Sequence, residues 1–375
     1  MKSRTLTLFT AATLFAALAI TVQLSAQTSP SKIITFNAPG AGKSAGQGTL
    51  GIGILSSGAI VGYYSDAGTV YHGFLRASNG KITTFNAPGA GKVAGAGTVP
   101  FGINPSGAIA GYYIDAHTVL HGFLRATDGK ITTFNAPNAG KNAGQGTFAS
   151  NINIAGTIAG YYVDASNVNH GFSRAADGTF TTFDAPGAGR ASGQGTFTDF
   201  FSGLNQEGAI TGDYIDSKNV YHGYVRAADG TFTTLNVSGS GTNRLEGTEP
   251  ASINNGGAVT GEYIDTSGVY HGFLRAPDGA ITKFNVAGAG KAAGQGTIPS
   301  NLNPTDAIAG YYLDASDVYH GFLRAENGSI TKFDAPGAGT GGFQGTLPYS
   351  NDSVGGIAGY FVDSKGAYHG FLRTP

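Results

Sequence analysis

The chain has 375 residues, long enough for two or three ordinary domains, yet 62 of them are Gly and only 12% are charged. A net charge of −1 with no basic run excludes an electrostatic nucleic-acid binder. The absence of Cys excludes disulfides, thiolate nucleophiles and Cys-ligated zinc or iron–sulfur sites, while 41% hydrophobic residues suffice for a folded core.

The first element is an address. Lys2 and Arg4 precede an apolar stretch from Leu6 to Val22, followed by Leu24-Ser25-Ala26. A short positive region, an apolar region and a small residue before a cut describe a secretory signal peptide. We expect residues 1–26 to be removed, leaving 27–375 in the periplasm or outside the cell with no membrane span. An uncleaved anchor is the alternative, weakened by Thr10, Thr13 and Thr21.

The rest is one unit repeated. A His-Gly-aromatic triplet begins at His72, His121, His170, His222, His271, His320 and His369, with steps of 49 residues and a single step of 52. Each copy reads as four short strands: a (Thr98 to Asn104), b (Gly107 to Asp115), c (Val119 to Arg125) and d (Ile131 to Asn135). Asp128-Gly129 and its equivalents favour a tight hairpin turn between c and d. Four-stranded units repeated radially predict an all-β fold, a seven-bladed β-propeller of antiparallel blades. The mature chain begins with a lone strand d (Ile33 to Asn37) and ends after strands a to c, so the first strand is expected to complete the last blade and leave no open edge. A parallel solenoid would not need that offset.

His-Gly-Phe-Leu-Arg, the upstream Ile-Asn-x-x-Gly-x-Ile-x-Gly-Tyr-Tyr and the downstream Asp-Gly-x-Ile-Thr-Thr-Phe resemble the bacterial extracellular HAF repeat family over nearly the whole mature chain. The likeness departs from that family's name motif, because Gly occupies the middle position in every copy and Tyr224 replaces Phe in the fourth. It implies a secreted repeat protein and carries no defined activity.

Three ionisable positions recur in all copies: the strand-b Asp (such as Asp66 and Asp115), the His already named, and the strand-c Arg (such as Arg76 and Arg125). The b–c hairpin brings Asp and His together, and Arg follows His by four residues, on the same face of strand c. An enzyme needs one asymmetric site, whereas seven copies suit stitching of the blades. We therefore read the seven His as structural. The Gly-rich d–a loops and the b–c hairpins share one face of the ring. That face offers Lys43, Lys92, Lys141, Arg190 and Lys291, with Gln47, Gln145, Gln194, Gln295 and Gln344. Tyr71, Tyr221, Tyr270, Tyr319 and Tyr368 stand near the hairpins, and Tyr rings beside amide and ammonium groups suit a glycan or a protein surface in the extracellular space. The bland account is a solvated loop face.

The repeats depart from one another most in the fourth and fifth copies. The three-residue insertion brings Asp199 and Phe200, the first Tyr of the strand-b Tyr-Tyr pair becomes Asp213 and Glu262, and the loop Gln becomes Glu246, flanked by Arg244 and Glu249. Drift in two adjacent repeats is the plainest account. Asp199, Phe200, Arg244 and Glu246 are binding candidates. Asp213 and Glu262 are the carboxylate pair a polysaccharide hydrolase or lyase would use. No cofactor is called for, although Asp199, Asp213, Glu246 and Glu262 form an oxygen-ligand set that calcium would accept. The reading is of a binding or scaffold protein, with hydrolase and purely structural envelope protein as the alternatives.

Overall fold

A computed structural model describes residues 31–198 and 203–375. The expected leader and the inserted Asp199 and Phe200 lie outside them. Each copy folds as four antiparallel strands, in the first Gly48–Ile54 (a), Ile60–Ser65 (b), Tyr71–Arg76 (c) and Ile82–Phe85 (d). Expected and observed boundaries agree to within two residues, as in Ile109–Ile114 and Leu120–Arg125 of the second copy. The hairpin registers place Leu50 opposite Tyr63, Tyr64 opposite His72 and Gly73 opposite Phe85.

Ring closure follows the expected plan. Lys32–Phe36 pairs antiparallel with Tyr368–Thr374, from Lys32 against Thr374 to Phe36 against Gly370, so the N-terminal strand completes the seventh blade. Strands a of neighbouring blades lie against one another around the axis, and strands d form the rim. Each blade is tied to the next by a parallel bridge from the first residue of strand c to the Gly of the following Gly-Thr pair, as in Tyr71 to Gly97 and Tyr368 to Gly48. Gly48 has φ of +126°, and a Cβ there would collide with the Tyr368 carbonyl. The buried Thr beside it accepts a backbone N–H from the strand-d exit, 2.8 Å from Ala38 to Thr49 Oγ1 and 2.8 Å from Ala136 to Thr147 Oγ1. Gly-Thr thus recurs because it joins each blade to its neighbour.

The core is divided among the blades. The aromatic of each His-Gly-aromatic triplet is fully buried, from Phe74 to Phe371. In the fourth blade it is Tyr224, whose hydroxyl donates to the Phe197 carbonyl at 2.8 Å, so the extra polar atom is satisfied. A Cβ on Gly73 would lie 2.7 Å from the Phe85 ring, which explains why the middle residue of the triplet is Gly. The strand-c Arg packs between blades. Arg76 lies over Phe36 at 5.1 Å and Arg226 over Phe183 at 4.7 Å, while Arg275 meets the slot where Leu235 replaces that ring.

At the tight-turn face an amide relay runs from the second to the fifth blade. Asn104 Nδ2 donates to the Asn153 carbonyl at 3.0 Å, Asn153 to Asn205 at 3.3 Å, and Asn205 to Asn254 at 3.1 Å. The relay borders one side of an axial cavity of about 350 Å³. Leu55 takes the relay position in the first copy, and there Ser56 Oγ meets Ser353 Oγ at 2.9 Å instead. One blade deviates from the expected strand plan. Among the described residues, strand a of the fourth copy spans only Gly195–Thr196, with Phe197 N–H still bonded to the Asp213 carbonyl, and Leu204 bridges Ile210 on the far side of the insertion.

Candidate binding site at the fifth and sixth blades

The recurrent polar groups are spent on the frame. Asp66 Oδ1 accepts the N–H groups of Gly68 and Val70 at 2.8 and 2.9 Å, which fixes the b–c hairpin. Its other oxygen meets His72 Nε2 at 3.2 Å, and His72 Nδ1 meets Asn86 Oδ1 of strand d at 2.9 Å. The imidazole also stacks on Tyr64, centroids 4.9 Å apart. Burial alone would raise the Asp66 carboxyl, and the N–H of Val70, the His72 ring and the N–H of Gly68 outweigh it, so the carboxyl ends below its ordinary value. The expected Asp–His pairing is present, but the Arg does not join it, since a residue four places along strand c has passed to the inter-blade Phe. The loop Gln residues are also committed: Gln47 Oε1 accepts Ser44 N–H at 3.2 Å, and Gln47 Nε2 donates to the Ala67 carbonyl at 3.1 Å. The ammonium and guanidinium groups of Lys43, Lys92, Lys141, Arg190 and Lys291 remain exposed on that face.

Around the axis the copies differ. The first strand-b Tyr sits between strand a of its own blade and strand a of the next. In the second to fourth blades this gives a continuous aromatic arc, with Tyr112 4.1 Å from Phe148, Phe148 4.9 Å from Tyr161, and Tyr161 5.2 Å from Phe197. The next positions around the ring are Asp213, Glu249 and Glu262. Glu249 and Glu262 stand directly opposite in the antiparallel register, where like charges repel. Burial disfavours the charge on Glu249 and pushes its carboxyl up to about 7. Tyr221 is raised by burial, then by Glu249 and Asp213, which places all three side chains in one sector. Tyr270 is raised by burial, then by Glu249 and Glu262.

Tyr270 also borders a cavity of about 510 Å³ on the long-loop face. The cavity lies between the fifth b–c hairpin, with Asp265, Tyr270 and His271, and the d–a loop that follows, with Asn285 and Lys291. His271 is held there by Asp265 at 3.0 Å and Asn285 at 2.9 Å. The volume falls in the range of about 300–1,000 Å³ typical of small-molecule sites. Tyr270 and a small set of oriented polar groups line this concavity, and Tyr270 joins it to the carboxylate sector.

The expected site residues distribute as follows. Tyr71, Tyr221, Tyr270, Tyr319 and Tyr368 are half-buried rather than freely exposed, because strand-b rings pack against several of them, as Tyr63 does against Tyr71 at 5.6 Å. Glu246 does not join Asp213 and Glu262. Its carboxylate accepts Asn243 N–H and Nδ2 at 2.9 and 3.0 Å, closing its own loop as the replaced Gln does. Arg244 is exposed on the same loop. The third member of the carboxylate sector is Glu249, legible once strands a and b are laid in register. Among the described residues no group of three or more His, Asp or Glu is placed to hold a metal ion, and Glu246 is removed from the calcium set by its loop contacts. No helix among them is long and apolar enough to cross a membrane.

No protein-family model matches the chain, and no curated relative matches it. Solved structures do. A lectin from Burkholderia pseudomallei is 11% identical, with a TM-score of 0.53 over 84% of this chain and 92% of that one. Puromycin hydrolase is 13% identical, TM-score 0.49, over 87% of this chain and 53% of that one. AofleA from Arthrobotrys oligospora is 11% identical, TM-score 0.45, over 91% and 86%. The first of these likenesses bears on the fold and agrees with the closed β-propeller described above.

Proposed function

We propose that the chain is a secreted carbohydrate-binding propeller that engages an extracellular glycan on its long-loop face, at the cavity between the fifth and sixth blades. The cavity of about 510 Å³ carries the reading. Tyr270 supplies a ring for the apolar face of a sugar, and Asp265, His271, Asn285 and Lys291 supply donors and acceptors for its hydroxyls. The Asp–His–Asn arrangement recurs in four other copies, as at His121 with Asp115 and Asn135, while Asp184 and Asp334 replace the Asn in the third and sixth, so weaker sites around the ring would add avidity toward a repeating ligand. The Burkholderia pseudomallei lectin of similar fold lends support by name only.

The test is a glycan-array screen of the purified protein, followed by titration of a selected glycan into wild type and Lys291→Glu. Selective binding that weakens about tenfold in the variant supports the site. Absence of binding to any glycan, or an unchanged affinity in Lys291→Glu, contradicts it. A second reading, cleavage of a polysaccharide, is favoured by the Glu249 carboxyl lying near neutrality opposite Glu262. It predicts release of reducing ends from the bound glycan, abolished in Glu262→Gln.

A further inference from the structure

Besides the turn position occupied by Gly40 in the first copy and the Gly of the Gly-Thr pair, the d–a loop contains a further position with left-handed backbone in every copy. Five copies use Gly there: Gly46, Gly95, Gly144, Gly193 and Gly294, with φ between +75° and +82°. A Cβ added at any of the five would meet nothing within 4 Å, so a side chain at this position points into open space on the long-loop face. The fifth and seventh copies instead carry Leu245 and Phe343, at φ of +63° and +59°. A bulky residue in this conformation is strained, and the Gly of the other copies would relieve it. Phe343 is also 63% exposed, so neither backbone preference nor burial accounts for it.

The surroundings of Phe343 are specific. Its ring lies 6.3 Å from that of Tyr319, tilted at 56°, so the two rings open toward solvent as an angled aromatic cleft. The Phe343 N–H donates to the Asp317 carbonyl at 2.7 Å, and the Asp317 carboxylate accepts Gln295 Nε2 at 2.8 Å. Gln295 ends the d–a loop that borders the cavity at Lys291, so cleft and cavity occupy consecutive junctions of the ring, tied through one hairpin. The other exposed large apolar side chains among the described residues are Val93, Ile154, Leu245, Ile281 and Val354. They come from different copies and different turns, so Phe343 is not part of the broad apolar patch a protein partner would need.

We infer that Phe343 and Tyr319 form a stacking platform for a pyranose ring, a subsite next to the cavity at the fifth and sixth blades. The inference rests on the glycan-binding reading. A saccharide presents an apolar C–H face to such a ring and its hydroxyls to the polar groups alongside, and an exposed strained aromatic is suited to that contact. An oligosaccharide long enough to reach from one junction to the next would engage both subsites.

The test compares Phe343→Gly, Phe343→Trp and Leu245→Gly, using an oligosaccharide selected on the array and the matching monosaccharide. Phe343→Gly is expected to raise the melting temperature, because it removes the strain, and to weaken oligosaccharide binding about tenfold. Phe343→Trp is expected to retain binding. Leu245→Gly is expected to raise the melting temperature as well and to leave affinity unchanged. A lowered melting temperature in Phe343→Gly would make the ring a packing element and overturn the platform. Unchanged oligosaccharide affinity in that variant would overturn the platform while leaving the cavity reading intact. Failure of the wild type to bind any glycan would overturn both.

Discussion

Two arcs of the ring use the same backbone positions for opposite ends. From the second to the fourth blade, Tyr112, Phe148, Tyr161 and Phe197 stack in sequence around the axis. From the fourth to the fifth, the matching positions hold Asp213, Glu249 and Glu262. The aromatic arc buries apolar surface and gains ring–ring contacts, each worth about 0.5–1.5 kcal/mol beyond burial. The carboxylate arc places two acids opposite each other and drives one of them toward neutrality. A frame repeated seven times can absorb such a sector because the joints between blades do not depend on it: Gly-Thr, the Asp–His hairpin pin and the buried triplet aromatic are the same in both arcs. Common residues therefore account for the ring, and the carboxylate departures are not required for it.

The largest effect is expected in the aromatic arc. Phe148→Ala removes the ring that touches Tyr112, Tyr161 and Phe101. It should cost about 3–5 kcal/mol in denaturant unfolding. A loss below about 1 kcal/mol would mean that the arc does not support the ring.

The carboxylate arc should behave in the opposite sense and only at higher pH. The folded state holds the Glu249 carboxyl at about 7, above its ordinary value of 4.5, so it binds more protons than the unfolded chain between those values. Stability is then full below the unfolded value and falls as pH rises toward 7. Glu249→Gln should remove that slope, adding roughly 3 kcal/mol at pH 8 and little at pH 4. A variant equal to wild type across that range would break the contrast between the arcs.

The frame itself predicts a smaller effect, common to both arcs. Thr147→Val leaves the Ala136 N–H buried without its acceptor. It should cost about 1–3 kcal/mol in unfolding free energy. Thr248→Val, beside the carboxylates, should cost at least as much, because Val237 N–H relies on Thr248 Oγ1 at 2.9 Å in the same way and the Ser240 hydroxyl also meets that oxygen at 2.9 Å. A much larger loss at either position would show that the joint is not independent of the arc it borders.

Much of this was legible in the residues. The period of 49 and the turn dipeptides specify four-stranded blades because they are local signals that recur along the chain, and the lone leading strand d specifies their closure. The pairing of Asp with His follows from hairpin geometry. What escaped was whatever depends on the neighbouring blade or on the register and loop contacts within one. The Arg leaves its Asp for Phe36 or Phe183 across an interface that no single repeat displays. Glu249 joins Glu262 only when strands a and b are set in register, and Glu246, nearer in appearance to the replaced Gln, is taken by its own loop. The cavity at Lys291 arises between a hairpin and the loop after it. Phe343 had a signal, since it fills a slot that is Gly in five copies, but its meaning required knowing that the slot is left-handed and open.

The most direct test of the account is hydrogen exchange on the protein with and without a saturating array-selected glycan. The account predicts protection in the d–a loop 285–296 and the hairpin 265–269 of the long-loop face, with no change in the tight turns 104–107 and 303–306 around the axial cavity. Protection confined to those turns would place the ligand at the opposite face and contradict it.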